Sequence, residues 1–130
     1  LEEKNNVYTK APSGGPLVQH ALEALFEMHR KGYITVEKLV EKIAHNPAIL
    51  FEIKDRGFIR KGYKADLVLI NPNAPWTVTK DNIVYKCGWS PFEGTAFTAR
   101  VTHTFVNGHL AYENGRFSES TNAERLTFNR

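Results

Sequence analysis

Gly57-Phe58-Ile59-Arg60-Lys61-Gly62-Tyr63-Lys64-Ala65-Asp66-Leu67-Val68-Leu69-Ile70 is the stretch on which the fold turns. Ahead of it, apolar residues recur at helical spacing. Behind it, they fall into short β-rich strings between turn residues. Gly62 and its polar neighbours make a turn, and the short unbroken apolar run within 66–70 predicts a buried strand. The reading is therefore α+β, a helical first half and a strand-rich second half.

Working back from Gly57, Asp55-Arg56-Gly57 ends a short helix that Asn46-Pro47 starts. Asn is placed to cap it and Pro to take its first position, with Ala48, Ile49, Leu50 and Phe51 as its apolar surface. A preceding helix over 36–44 is capped by Thr35, and Leu39, Val40 and Ile43 face inward. The longest helix runs from about Leu17 to Lys31, with Pro16 in its first turn. Leu17, Val18, Ala21, Leu22, Leu25, Phe26 and Met28 form a wide apolar face that wants cover. Gly32 supplies the left-handed residue at its end. Residues 1–15 are loop, polar and then rich in Gly and Pro.

Working forward, Asn71-Pro72-Asn73-Ala74-Pro75 breaks the chain. Trp76-Thr77-Val78 and Ile83-Val84-Tyr85 are short strands. Residues 101–112 form a hairpin around Asn107-Gly108, a two-residue turn of the I′ kind. In that register Val106 pairs with His109, and His103 opposes Tyr112. Residues 118–130 are polar and wrap loosely or fray.

The chain has 130 residues, enough for one domain, and 42% of them are hydrophobic. Its net charge of +3 is dispersed, and no basic stripe interleaves with aromatics, which argues against nucleic acid. No apolar run reaches the length of a membrane span. The single cysteine, Cys87, excludes an internal disulfide framework and suits a reducing cytoplasm. It reads as a small, partly buried thiol.

Candidate chemistry is sparse. Ser13-Gly14-Gly15 leads into a helix, where close backbone approach and unpaired N–H groups could hold a carboxylate or phosphate. His20 and His29 lie on the polar part of one helix, too far apart to share a metal. His45, His103 and His109 are scattered, and no His-x-His or Cys cluster exists. No Ser/His/Asp or Cys/His set assembles, so the residues alone give one possible anion-binding loop.

Several motifs carry a resemblance. Glu2-Glu3-Lys4 followed by Ala11-Pro12-Ser13-Gly14-Gly15 and an amphipathic helix resembles the loop after the final barrel strand of dihydroorotases, which are cyclic amidohydrolases. Asn46-Pro47-Ala48 with Phe51 matches an Asn-Pro-Ala-x-x-Phe helix of that family. Gly57, Ile59, Gly62 and Ala65-Asp66-Leu67-Val68 are similar to the family's entry into its small sandwich domain. Lys86, Ser90-Pro91-Phe92, Gly94, Val101, Thr104, Val106 and Gly108 continue the pattern.

The resemblance implies the last helices of a (βα)8 barrel (residues 1–56), strands of a small β-sandwich (57–117) and a C-terminal tail (118–130). It implies the C-terminal portion of a zinc-dependent enzyme that interconverts L-dihydroorotate and N-carbamoyl-L-aspartate in the cytoplasm, in pyrimidine synthesis. Metal ligands and the proton-shuttling Asp would lie ahead of Leu1, so the isolated piece would be inactive and hold no zinc. Pro12, Ser13 and Gly14 would contact the substrate. Allantoinase, hydantoinase or a non-catalytic scaffold subunit are the alternatives. A barrel helix without its barrel would expose apolar surface and open sheet edges and would self-associate.

Overall fold

A computed structural model describes residues 1–119 and 123–129. Val18–His20 forms a 3-10 turn that runs straight into α1, Ala21–Arg30. Gly32 ends the helical path with φ +78°, the left-handed conformation expected there. Thr35 caps α2 (Val36–Val40), its side-chain oxygen accepting from the Lys38 N–H at 3.2 Å.

The expected restart at Asn46-Pro47 does not occur. A π turn, Glu41–His45, joins α2 directly to α3, Asn46–Leu50. Asn46 has helical dihedrals and its N–H reaches back to Glu41 O, so it lies inside the helix and is not a cap. Pro47 accounts for the wide turn. It has no N–H to donate, and in a regular α-helix its ring would meet the carbonyl four residues back. An i→i+5 turn moves that carbonyl aside. Leu39 is buried, whereas Val40 and Ile43, expected inside with it, stay substantially exposed. Gly57 (φ +80°) then folds the chain back so closely on α3 that a Cβ there would overlap the Ala48 methyl and lie 2.9 Å from Ala44 O.

Four strands make one antiparallel sheet: β1 (Leu67–Asn71), β4 (Arg100–Val106), β5 (His109–Glu113) and β6 (Arg116–Phe117), in that spatial order. A separate antiparallel pair joins β2 (Trp76–Thr77) to β3 (Ala96–Phe97). β1 lies where the apolar run placed it, but it is not buried. It is an edge strand, and Leu67, Val68 and Leu69 are exposed because no second layer covers them among the described residues.

The run at 83–85 is not a strand. Lys80–Asn82 forms a 3-10 turn closed by a Thr79/Asn82 capping box, and the Val84 N–H goes to Gln19 Oε1 at 3.0 Å instead of to a strand. The hairpin turn is as expected, with positive φ at both Asn107 and Gly108 and Val106 opposite His109. A bulge between Thr104 and Phe105 then slips the register by one, so His103 opposes Glu113 and Tyr112 opposes Thr104.

The described part of the tail is held, not frayed. Lys54 N–H donates to Thr127 O and Asn129 N–H to Glu52 O, and Lys64 pairs with Glu124. Residues 120–122 and 130, covered by the same expectation, lie outside the described residues.

Candidate functional site

The loop singled out in the sequence is organised by Lys4. This residue ends a 3-10 turn, Glu2–Lys4. Its ammonium donates to the carbonyls of Pro12, Ser13 (2.9 Å) and Gly14. An ammonium has three protons, so three acceptors use its whole capacity. Gly14 takes φ +85°, and the space where its Cβ would stand is open to 4 Å. Pro12 through Gly15 are solvent-exposed. The loop does not abut a helix start: helical structure begins only at Val18, and Pro16 lies outside it. The helix-start N–H groups expected to assist anion binding therefore lie beyond this loop.

Behind the loop is a seam the sequence reading missed. The apolar face of α1 stands open, as the resemblance implied for a barrel helix without its barrel: Leu17, Met28 and above all Val18 (89% exposed) are in solvent. The face that packs is the polar stripe His20, Glu23 and Glu27. Glu27 Oε1 accepts from the Thr98 N–H (2.7 Å) and hydroxyl (2.5 Å), and Oε2 pairs with Arg30. Glu23 Oε1 accepts from the Val101 N–H at 3.3 Å. Two carboxylates one helical turn apart thus fasten α1 to the backbone around β3 and β4. Gln19 extends the clamp, receiving the Val84 N–H, donating to Asn82 O and using its own N–H on the Tyr85 hydroxyl.

His20 is completely buried and ringed by Trp76, Tyr85, Phe92 and Phe97. It was expected on the polar part of the helix, in a surface or packing role. Ser90 Oγ accepts the Phe92 N–H and lies 3.0 Å from His20 Nδ1. Ser90 and His20 thus share one buried hydrogen bond, whose donor is set by the imidazole tautomer. His20 Nε2 and Glu23 Oε2 are both buried without a hydrogen-bond partner among the described residues.

The electrostatics follow the geometry. Burial lowers the His20 pKa, favouring the neutral ring. Burial raises that of Glu23, offset in part by backbone N–H groups and by Arg100. The Thr98 hydroxyl, with the Thr98 N–H and Arg30, holds Glu27 at about 2, against the desolvation that opposes it.

The histidines do not converge. His29 Nδ1 lies 2.9 Å from Ile34 O, His45 stacks on Phe58, His103 faces Thr102 and Glu113, and His109 Nε2 lies 3.4 Å from Ser118 O. Among the described residues no three of His, Cys, Asp and Glu gather where they could hold a metal ion. This donor set does not fit a zinc centre, which needs at least three convergent protein ligands. Cys87, expected to be partly buried, is exposed. No described helix is long and apolar enough to cross a membrane.

Fold and motifs together agree with the comparisons. The model of the amidohydrolase family matches residues 10–111. The chain belongs to that family. It is 32% identical over 114 residues to the dihydroorotase of Pyrococcus furiosus, covering 88% of this chain and 27% of that protein. It is 36% identical over 112 residues to the dihydroorotase of Clostridioides difficile, covering 85% and 26%. The solved L-hydantoinase (dihydropyrimidinase) of Arthrobacter aurescens superposes with a TM-score of 0.81 at 26% identity, over 92% of this chain and 27% of that one. The chain thus spans about a quarter of the length of these relatives.

Proposed function

We propose that this chain is the C-terminal portion of a dihydroorotase, the enzyme that opens and closes the cyclic amide between L-dihydroorotate and N-carbamoyl-L-aspartate in pyrimidine synthesis. The observation that carries the reading is the identity of 32% and 36% to two dihydroorotases along more than four-fifths of the chain. In this reading the zinc that activates water in such enzymes is held by residues of the whole protein outside this segment, and the reaction runs in the cytoplasm. This segment supplies the loop at Pro12, Ser13 and Gly14, which contacts the substrate. The seam of His20, Glu23 and Glu27 fixes the helix that follows the loop. The first 56 residues complete the barrel, 57–117 belong to the sandwich and the rest is tail.

The test is turnover by the full-length enzyme on L-dihydroorotate, allantoin and hydantoins. Preference for L-dihydroorotate by tenfold or more in kcat/KM, an order-of-magnitude margin of substrate discrimination, is the expected result. The 130-residue chain alone, supplied with zinc, should give no turnover. A second reading, a hydantoinase, is favoured by the structural likeness to the Arthrobacter aurescens protein. Preference for a hydantoin in the same assay would replace the first reading with the second.

A further inference from the structure

We propose that Lys4 is a positioning residue for the substrate: it holds the loop from behind so that the N–H groups of Ser13, Gly14 and Gly15 face the substrate's carboxylate. The inference rests on the dihydroorotase reading above for the identity of the anion.

The geometry begins with the three carbonyls. In an extended segment successive carbonyls point to opposite sides. Here those of Pro12, Ser13 and Gly14 all turn toward one ammonium. Gathering them requires a residue outside the extended region, and Gly14 at φ +85° provides it. Each carbonyl belongs to a planar trans peptide, since there is no cis bond among the described residues. In a trans peptide the N–H of the next residue points away from the carbonyl. Turning three carbonyls toward Lys4 therefore turns the N–H groups of Ser13, Gly14 and Gly15 away from it. None of these three has a hydrogen-bond partner among the described residues, and all three residues are exposed.

Three successive outward N–H groups around a left-handed glycine make a concave site for an anion. The Lys4 charge reinforces the polarity of those peptides from the opposite side. The pattern fits a carboxylate, with two oxygens to share three donors. Lys4 never touches the ligand; its effect passes through the peptide planes.

The experiment replaces Lys4 in the full-length enzyme and separates KM from kcat. Lys4→Met should raise KM for L-dihydroorotate about tenfold, the weight of a charge-assisted hydrogen bond, with kcat and zinc content nearly unchanged. KM for the uncharged methyl ester should hardly move. Lys4→Arg, which keeps the cation and its donors, should recover much of the lost affinity. An unchanged KM for L-dihydroorotate, or an equal rise for acid and ester, would overturn the proposal. If the enzyme turns over neither compound, the functional reading has failed, and Lys4 is judged on the 130-residue chain. There the amide resonances of Ser13, Gly14 and Gly15 should shift with Lys4→Met, and acetate should move them in the wild-type chain alone. Amide resonances indifferent to both would refute it.

Discussion

Gly57 and Gly14 hold nearly the same backbone angle, φ +80° and +85°, in opposite surroundings. Gly57 is pressed against Ala44 and Ala48 with no space for a methyl group, whereas nothing stands within 4 Å of where a Gly14 Cβ would be. The two mark two kinds of region. Around Gly57 and along the α1 seam, neighbouring atoms determine every position. In the loop of Pro12 to Gly15 a single lysine sets the conformation, and one side of the backbone is left free. A positive φ in the first region serves packing; in the second it leaves donors facing outward for a ligand.

That contrast can be broken by experiment, from its largest expected effect downward. Gly57→Ala combines backbone strain with overlap and should destabilise the chain by about 3 kcal/mol, read from the midpoint of urea unfolding. His20→Ala leaves a cavity among four aromatic rings and an unpaired Ser90, and should cost about 3 kcal/mol. An unchanged midpoint in either variant would remove the distinction on the packed side. Glu27→Gln weakens two hydrogen bonds to Thr98 and should cost about 2 kcal/mol. Gly14→Ala meets only the left-handed backbone, so about 1 kcal/mol is expected, alongside weakened substrate binding with metal content intact in the full-length enzyme. A Gly14→Ala cost matching that of Gly57→Ala would show that the loop is as tightly packed as the rest.

Acidification sharpens the same comparison. The folded pKa of His20 lies below its ordinary 6.5, so the unfolded chain takes up that proton first. Stability should fall as pH drops below about 6.5. Glu27 is held at about 2 against 4.5, so its contribution is complete above 4.5 and is lost as pH approaches 2. Glu23, shifted upward, works in the opposite direction and gains as pH falls. His20→Gln should flatten the upper part of the profile and Glu27→Gln the lower part, in urea midpoints measured at a series of pH values. Lys4→Met should leave both parts in place.

The sequence made some of this plain. Thr35, Gly32 and Asn107-Gly108 could be read because caps and tight turns depend on residues within a few positions of one another. The bulge at Thr104 and Phe105 was hidden because it resolves a mismatch between paired strands that no single window contains, and the π turn because Asn46-Pro47 reads equally as a cap and helix start. On α1 the open apolar face was foreseeable for a barrel helix without its barrel, whereas the packing of its polar stripe was not. Periodicity reports that two faces differ, not which of them meets the sheet. His20, Glu23 and Glu27 recur at the spacing of a helical stripe, and that signal was available. Their partners, Thr98 and Val101, lie more than seventy residues away. In the candidate loop, the glycines were legible, while the grip of Lys4 on three carbonyls had no sequence signature of its own.

The π turn at Glu41–His45 works as a phase shifter. One additional residue in a helical path rotates everything downstream by about 100°, and it is in that rotated setting that Ala48 meets Gly57. Deleting a single residue from the turn would swing Ala48 away from that contact and carry the Ile53–Phe128 bridge out of alignment. The helix would lengthen its regular stretch and lose its grip on both the turn and the chain's end.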